Sequence, residues 1–424
     1  MRTIFKNCTL LDGTKDMIAR ENIDVTIEND KIVEIGKIEQ KKEDKIIDLT
    51  GKYLMPGLIN LHVHLPAGGK PQKKPLKADF LSKLALSSAF MRKFTLNMCH
   101  GYAMQGLMSG VTTIRTVGGL DDIDAKLRDK INAGQLDGPR ILASNFAIGV
   151  TNGHMVGSVA RAADTPEEAA KMVDELIEKK SDLIKLMVTG GVMDAKVKGE
   201  PGVLMMKGDM IKACCDRAHE HGLKVAAHVQ SPEGVRTAVG NGVDSIEHGS
   251  TLTQAEIDTF KAHNAVLICT LSPALPMAKF ERETLGISEV VQYNSNVVFN
   301  NMVKGAKTAL ENGVKVGLGT DTGCPYTTHY NMWRELHYFE KNVGVSPEFA
   351  LYTATLQNAE IIGDVTGSIE EGKCADILIS NSNPLDDFRA LSQPYAVVAR
   401  GKIFLNPKIK KYPKCDEELD KYYN

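Results

Sequence analysis

The chain has 424 residues, of which 43% are hydrophobic and 25% charged, with a net charge of −2. This composition predicts a soluble globular protein with a large core, and its near-neutral charge gives no reason to expect nucleic acid or an anionic membrane as a partner. The sequence has no run of roughly 18 apolar residues, no signal-peptide pattern at its start and no disulfide or CxxC spacing among its eight cysteines, which together predict a cytoplasmic location.

Short alternating strands are predicted at both ends of the chain. The segments RTIFKNCTLLDG, NIDVTIENDKIVEIG and DKIIDLTGKYL near the start alternate apolar and polar residues, and turn signals such as Asp12-Gly13 separate them. The segments GSIEEGKCADILISN and YAVVARGKIFLN near the end have the same pattern. We therefore expect residues 1–55 and 364–424 to form one composite β-sandwich domain.

The middle of the chain, residues 56–363, alternates short apolar strands with amphipathic helices. The predicted strands are GLINLHVHL, GVTTIRTV, RILASNFAIG, DLIKLMVTG, KVAAHVQ, DSIEHGS, AVLICTLS and KVGLGTD. The predicted helices include TPEEAAKMVDELIEKK, MKGDMIKACCDRAHEHG, SPEGVRTAVGNG and VFNNMVKGAKTALENG. Eight β-then-α units over about 300 residues predict an α/β fold, a (β/α)8 TIM barrel, with a doubly wound sheet as the competing arrangement.

Polar side chains occur where the predicted barrel strands end. Residues two apart on a strand point to the same side, so His62 and His64 face one side together. A metal ion is the simplest shared partner for two adjacent buried imidazoles. The other polar residues near strand ends are Lys185, His228, His248 and Asp321. Because barrel enzymes carry their reacting groups at this rim, we expect these six side chains to converge.

Lys185 lies in a strand that is predicted to be buried on both faces. An unpaired ammonium is costly to bury, so this lysine must pair with an inward carboxylate, lower its pKa or change chemically. A neutral amine can add carbon dioxide to form a carbamate, an anion with two oxygens that can bridge two divalent metal ions. Beside five other ligand-type residues, the sequence favours the carbamate over a simple salt bridge.

These motifs and their order resemble those of the amidohydrolase superfamily over nearly the whole chain. PGLINLHVH resembles its opening metal motif, and IKLMVTGG, AAHV, IEHG and GLGTDTG resemble the later motifs in order. GSIEEGKCADILI resembles its closing sheet segment. Within the superfamily the chain is most similar to the prolidase-like and imidazolonepropionase-related amidohydrolases, including the ochratoxin-hydrolysing type, whose binuclear members carry a carboxylated lysine on the fourth barrel strand.

The resemblance implies a set of metal ligands. His62 and His64 would hold the more buried ion together with Asp321. His228 and His248 would hold the outer ion, and carboxylated Lys185 would bridge the two. The implied cofactors are two divalent metal ions, with zinc as the first candidate, and carbon dioxide as the Lys185 carbamate.

The activity implied by the resemblance is hydrolysis of a C–N amide bond by a metal-bridging hydroxide, with Asp321 as the catalytic proton carrier. A dipeptide or an N-acyl amino acid is the first substrate candidate, and a cyclic amide of the imidazolone kind is the second. A mononuclear deaminase would not need Lys185, and a non-catalytic scaffold would be expected to lose ligands. The implied partner is a small molecule rather than nucleic acid or a membrane, and whether copies form a homo-oligomer stays open.

Three further residues are predicted to contact the substrate. His154 in TNGHMVG matches a histidine loop of the family in an altered setting, and His329 follows Asp321 in GCPYTTHYNMW. Gln230 stands where prolidase-like relatives often carry a tyrosine that helps to hold a substrate carboxylate. This departure puts a free C-terminal carboxylate on the substrate in doubt.

Two other features are assigned ordinary roles. Lys70, Lys73 and Lys74 could meet an anionic substrate, but a charge run of this kind is more typical of a solvated loop. Glu247 directly precedes His248, so strand alternation predicts that its carboxyl group faces away from the site.

Overall fold

A computed structural model describes residues 2–71 and 78–423, so Lys73 and Lys74 lie outside the described residues. The first part of the chain forms five strands, in which buried and exposed side chains alternate only in part. They are β1 (Arg2–Leu10), β2 (Arg20–Glu28), β3 (Lys31–Gly36), β4 (Lys45–Asp48) and β5 (Tyr53–Pro56). The last strands of the chain are β16 (Ile377–Ser380), β17 (Ala396–Ala399) and β18 (Lys402–Leu405).

These eight strands from both ends of the chain join in one sheet. Its order is β18-β17-β16-β5-β1-β2-β3, with β4 paired to β1. The two ends meet where β16 runs antiparallel to β5, with Leu378 opposite Met55. Apolar side chains of both ends, including Phe5, Leu54 and Ile377, form a core cluster separate from that of the middle. The prediction that both termini build one sheet is therefore confirmed, whereas its packing as a two-layer sandwich stays a prediction.

The middle of the chain contains the remaining strands. They are β6 (Leu58–Val63), β7 (Val111–Thr116), β8 (Arg140–Leu142), β9 (Ala147–Gly149), β10 (Ala160–Ala162), β11 (Leu183–Met187), β12 (Lys224–Val229), β13 (Ser245–His248), β14 (Val266–Cys269) and β15 (Val316–Leu318). Almost every residue of β6, β7 and β11 to β15 is buried, as expected for parallel strands covered by helices.

Helices follow most of these strands. They are α1 (Ala78–Leu86), α2 (Ala89–Met108), α3 (Ile123–Asn132), α4 (Pro166–Glu178), α5 (Gly208–Glu220), α6 (Pro232–Gly240), α7 (Gln254–His263), α8 (Leu271–Lys279), α9 (Arg282–Leu285), α10 (Glu289–Glu311), α11 (Met332–Tyr338), α12 (Pro347–Tyr352), α13 (Asn358–Ile362) and, at the end of the chain, α14 (Pro413–Asp420). Of the described residues, no helix has both the length and the apolar character needed to cross a bilayer.

The strands of the middle pair in parallel and form two sheets. One has the order β10-β9-β11-β12-β13-β14-β15 and the other β6-β7-β8. The first and last of the predicted barrel strands also meet, because the Asp321 amide donates to the His62 carbonyl (2.9 Å) and the His64 amide donates to the Thr322 carbonyl (2.8 Å). The α/β fold with parallel, TIM-barrel-like sheets is thus confirmed, and full closure of the barrel stays a prediction.

Local sequence signals explain most helix boundaries. Thr165 caps α4 by accepting from the Glu168 amide, with Pro166 in the first turn, as the sequence predicts. The predicted strand RILASNFAIG is two short strands, β8 and β9, because the backbone turns at Asn145 (φ 59°). Between β14 and β15 lies a longer helical insertion than the sequence predicts, α8 to α10, whose last helix begins nine residues before the predicted segment.

Candidate metal centre

Four histidines and one aspartate converge where the parallel strands end, and Lys185, in the middle of β11, lies close enough to interact electrostatically with His62 and Asp321. His62 and His64 reach the same carboxylate, with Nε2 at 3.4 Å and 3.2 Å from Asp321 Oδ1. The ligand atoms of His62, His248 and Asp321 all lie within 4.8 Å of one another. The rings of His228 and His248 are 4.7 Å apart. The structure therefore gathers these residues at one rim, as the positions of the motifs predict.

Three of the four imidazoles are held through one ring nitrogen, which leaves the other nitrogen for a ligand. Nδ1 of each is hydrogen-bonded within the protein: His62 to Glu247 (2.8 Å), His64 to the Gly118 carbonyl (2.8 Å) and His248 to Thr270 (2.7 Å). Metal-bound histidines typically use the nitrogen remote from the metal in this way, because the bond fixes the ring orientation and tautomer. Burial lowers the pKa of His62 to about 4, so this ring is neutral and can donate an electron pair at neutral pH.

Lys185 and His228 carry buried polar atoms without partners. No described residue offers a hydrogen bond to Lys185 Nζ or to His228 Nε2. Lys185 is 1% exposed, and burial lowers the pKa of its amine to about 8. Burying a nitrogen without a hydrogen-bond partner costs folding free energy. Both of these nitrogens belong to side chains that can become metal ligands. This donor set fits a divalent metal site.

Asp321 supplies the negative charge of the cluster. Burial by itself would raise the pKa of its carboxyl group, but His62 and His64 beside it outweigh that effect and hold the pKa well below the usual range. His248, the last residue of β13, and Asp321, three residues after the end of β15, both have left-handed backbone conformations (φ 69° and 54°). A carboxylate in this position can ligate a metal or accept a proton.

Glu247 is not directed away from the site, so the prediction from strand alternation is wrong. Its carboxylate accepts hydrogen bonds from His62 (2.8 Å), Arg115 (2.7 Å) and Ser245 (2.8 Å), and the residue is completely buried. Alternation fails because the backbone leaves the strand conformation at His248, so that two consecutive side chains point inward. Glu247 lies beneath His62 and orients that ring.

Breaking the buried Glu247–Arg115 pair is expected to destabilise the protein strongly at neutral pH. Replacing Glu247 with glutamine would leave the guanidinium buried without its anion, so we expect the free energy of unfolding to fall by about 3 kcal/mol. Burial raises the pKa of Glu247 but Arg115 and His62 outweigh it, and the net pKa lies well below its usual range. Because the folded-state pKa of Glu247 is depressed, its ionised carboxylate stabilises the folded protein fully above the unfolded-state pKa of about 4.3. This stabilisation is lost as the pH falls below that value and through the folded-state pKa.

Denaturant unfolding of Glu247→Gln and wild type, in chelator at pH 7 and at pH 3.5, measures this effect. The difference between the two proteins should shrink at the lower pH. Glu220→Gln is the matched control, because Glu220 forms an exposed ion pair with Arg217 and its loss should cost under about 0.5 kcal/mol. Equal stability of Glu247→Gln and wild type at pH 7 would contradict the assignment.

A cavity of about 210 Å³ opens beside the cluster. His154 and Gln230, two of the three residues predicted to contact substrate, line it. His154 stacks on His228 at 4.2 Å, and its Nδ1 is 2.6 Å from Asp194 Oδ2. His329 is not among the described residues that line the cavity, and its Nε2 is hydrogen-bonded to the Ala67 carbonyl (2.8 Å).

Sequence reasoning missed several residues that support the cluster. Arg115 lies on β7, where a lone arginine in an apolar strand was a usable signal of a buried ion pair. Thr270 and Asp194 follow β14 and β11, at the same rim as the ligands, but no short motif distinguishes them from ordinary loop residues. Their roles depend on contacts between distant segments.

Comparisons with known proteins agree with this geometry. The family model described as "Amidohydrolase family" matches residues 53–404. A crystal structure from Bifidobacterium longum, provisionally named a prolidase, is 36% identical with a TM-score of 0.88 and covers 100% of this chain and 99% of that one. A Xaa-Pro dipeptidase with bound methionine in its active site is 28% identical with a TM-score of 0.83, over 96% and 100% of the two chains.

A curated relative supports the same assignment. The ochratoxinase of Aspergillus niger is 26% identical over 386 residues, which cover 84% of this chain and 76% of that protein. The family match spans most of the chain and includes every residue of the candidate cluster. The chain therefore belongs to the amidohydrolase family and is a hydrolase that acts on carbon–nitrogen bonds.

Proposed function

We propose that the protein is a metal-dependent amidohydrolase that hydrolyses a C–N amide bond in a small substrate. The observation that carries this proposal is the side chain of Lys185, whose nitrogen is buried and unpartnered among ligand-type residues. A lysine kept only for packing would be expected to pair with a carboxylate. A lysine that becomes a carbamate must have a neutral amine without a hydrogen-bond partner, and the buried position of Lys185 favours both conditions.

Six residues would hold two divalent ions, with zinc as the first candidate because most of the donors are imidazoles. His62 and His64 both contact Asp321, and the ring of His248 lies 4.8 Å from that of His62 and 4.7 Å from that of His228. Lys185 would complete this donor set as an anionic carbamate, which forms when its neutral amine adds carbon dioxide and releases a proton. A pKa of about 8 leaves an appreciable neutral fraction of the amine near neutral pH. When bound, such ions lower the pKa of water and polarise a carbonyl group.

Asp321 is the catalytic residue among these side chains. Its low pKa keeps the carboxylate ionised, so it can accept a proton from the attacking water. The same carboxyl group then donates this proton to the leaving nitrogen, which leaves as a neutral amine. Glu247 holds the ring of His62 during these steps, and His154 faces the space where substrate would enter.

The first substrate candidates are dipeptides and N-acyl amino acids, since one similar solved structure is a Xaa-Pro dipeptidase. A cyclic amide of the imidazolone kind is the second candidate. A mononuclear enzyme such as a deaminase is supported by one observation, the compact group of His62, His248 and Asp321, which could hold a single ion. A buried Lys185 has no role in that alternative.

We also propose the domain division that the sequence predicts. Residues 56–363 would form a closed (β/α)8 barrel, supported by the backbone bonds between the ends of the β6 and β15 segments. Residues 1–55 and 364–424 would form the composite β-sandwich domain, supported by the separate apolar cluster of the terminal sheet.

Metal analysis with reconstitution tests the proposed function. Purified full-length protein supplied with zinc and bicarbonate should hold two equivalents of zinc and hydrolyse small amides. Dialysis against chelator should abolish turnover, and zinc together with bicarbonate should restore it better than zinc in carbon-dioxide-free buffer. One equivalent of zinc with full activity in carbon-dioxide-free buffer would favour the mononuclear alternative, and no tightly bound ion would favour a non-catalytic relative.

A further inference from the structure

The cavity beside the metal-ligand cluster has a wall built partly from helices of low intrinsic stability. Most of this wall comes from α8 to α10, the helical insertion between β14 and β15. Helix α8 has nine residues and contains Pro276, which has no amide to donate within the helix, and α9 has only four residues. Because isolated helices shorter than about 12 residues are marginal in water, α8 and α9 depend on packing for their position.

The end of the chain packs against these two helices. The C-terminal tail, defined here as residues 412–423, contains α14. It contributes Cys415 and Leu419, which are 0% and 2% exposed, to an apolar cluster. The other buried members of this cluster are Phe280, Leu285 and Tyr326. Leu285 also lines the cavity, so the tail packs directly behind the cavity wall.

Further contacts extend this support along the wall. Met277 and Ile287, which line the cavity, pack against the same apolar cluster. The ring of Tyr422 stacks on Phe280 at 5.1 Å, and its hydroxyl donates to the Lys279 carbonyl (2.9 Å) at the end of α8. None of the described residues of the tail lines the cavity itself. The tail therefore acts on the wall from behind.

Polar bonds fix the other side of the tail to the segment that follows β15. Asp420 accepts a hydrogen bond from Arg334 Nη2 (2.7 Å). Asp416 accepts hydrogen bonds from the Tyr330 hydroxyl and the Asn331 amide group (both 3.2 Å). Arg334 is 3% exposed, so its charge depends on these two carboxylates for compensation. The tail thus joins the segment around α11 to the underside of α8 and α9.

We propose that the C-terminal tail is a positioning element of the substrate site, which holds α8 and α9 in the cavity wall and thereby sets the affinity for substrate. This inference rests on the proposed amidohydrolase function, in which substrate enters this cavity. The rings of His62, His64 and His248 are bonded to groups outside the tail, so the metal-ligand cluster keeps its own support. Loosening the tail should therefore weaken substrate binding more than the chemical step.

Replacing Leu419 with alanine tests this proposal in the full-length, zinc-loaded enzyme. The substitution leaves a void behind the wall, so α8 and α9 can shift away from the substrate. With leucyl-proline and N-acetyl-leucine as probes, we expect KM to rise about tenfold while kcat changes less than about threefold and two equivalents of zinc remain bound. An unchanged KM, or a fall in kcat alone, would overturn the proposal.

Two variants control for a general loss of stability. Leu10→Ala removes the same atoms from a completely buried leucine of the terminal sheet, far from the wall, and should leave KM within about twofold of wild type. Leu419→Met conserves the volume behind the wall and should restore the wild-type KM. If Leu10→Ala raised KM as much as Leu419→Ala, the effect would be general destabilisation and the proposal would be wrong.

A milder variant decides the question if Leu419→Ala does not fold. The Asp420 side chain is half exposed, so Asp420→Asn should fold while weakening the bond to Arg334. We expect KM to rise about threefold with kcat unchanged. Glu418→Gln is the matched control on the same helix, because Glu418 pairs only with the exposed Lys421 among the described residues and its loss should not alter KM. Equal KM values for the two variants would contradict the role of the tail.

Hydrogen exchange separates this inference from the proposed function. In chelator, the backbone amides of α8 and α9 should exchange at least about tenfold faster in Leu419→Ala, or in Asp420→Asn, than in wild type, while those of β6 and β13 should not change. If neither probe is hydrolysed although zinc is bound, the proposed function fails, and this exchange still decides whether the tail holds the wall. Equal exchange of α8 and α9 in variant and wild type would overturn the proposal.

Discussion

Replacing Lys185 with methionine is expected to lower kcat/KM by at least about 10³-fold and to reduce bound zinc below two equivalents. Methionine fills a similar volume but cannot form a carbamate, so the anion that would complete the donor set is lost. Zinc content by elemental analysis and steady-state kinetics with a small amide measure both effects. A variant with full activity and two zinc ions would refute the bridging role.

The same variant makes an opposite prediction for the metal-free protein. In the wild type, burial of the Lys185 amine, which is 1% exposed and has no hydrogen-bond partner among the described residues, costs folding free energy. Methionine removes this cost. We therefore expect Lys185→Met to unfold at a higher denaturant concentration than wild type in chelator, with a gain of about 1–3 kcal/mol. A loss of stability would indicate that Lys185 packs or pairs structurally. Partial rescue of Lys185→Ala by acetate or propionate would independently identify a missing carboxylate.

Replacing Asp321 with asparagine is the second large change. The amide is nearly isosteric, but it has no negative charge for a metal and cannot accept the proton that Asp321 is proposed to carry. We expect kcat to fall by about 10³-fold or more, because both the ligand and the proton carrier are removed. Single-turnover kinetics measure the chemical step.

The matched control is the same substitution at the cavity mouth. Asp194→Asn removes a carboxylate that accepts from His154 and from the Gly191 amide (2.8 Å) but lies outside the proposed ligand set. It should alter KM more than kcat. If Asp321→Asn retained wild-type kcat, the proton would have to pass through another group.

The approach of His62 and His64 to one carboxylate could be predicted from the sequence for a simple physical reason. Within a regular strand, side-chain direction repeats every two residues, so HVH alone predicts two imidazoles on one side. A lysine in an apolar strand also predicts a functional position, because a buried amine must pair with a carboxylate, become neutral or be modified chemically. The order of the family motifs then predicts the remaining candidate ligands.

Features that depend on tertiary contacts were less predictable. Glu247 and His248 can both face inward because the backbone of His248 has a positive φ, which no local pattern specifies. The wall formed by α8 to α10 consists of ordinary apolar helix residues, and only the fold shows that they surround a cavity. The contact of His154 with Asp194 joins residues 40 apart in sequence, so no short motif could predict it.

The pairing of β16 with β5 has a consequence for how the protein is made. The Gly57 amide, just before the histidine-bearing strand β6, donates to the Asp376 carbonyl (2.9 Å), and Pro56 is paired with Ile377, roughly 320 residues later. On the ribosome, the N-terminal strands are synthesised long before their partners emerge and present an unsatisfied sheet edge meanwhile. We expect that premature termination anywhere before residue 377 yields an aggregation-prone chain rather than a partly active enzyme.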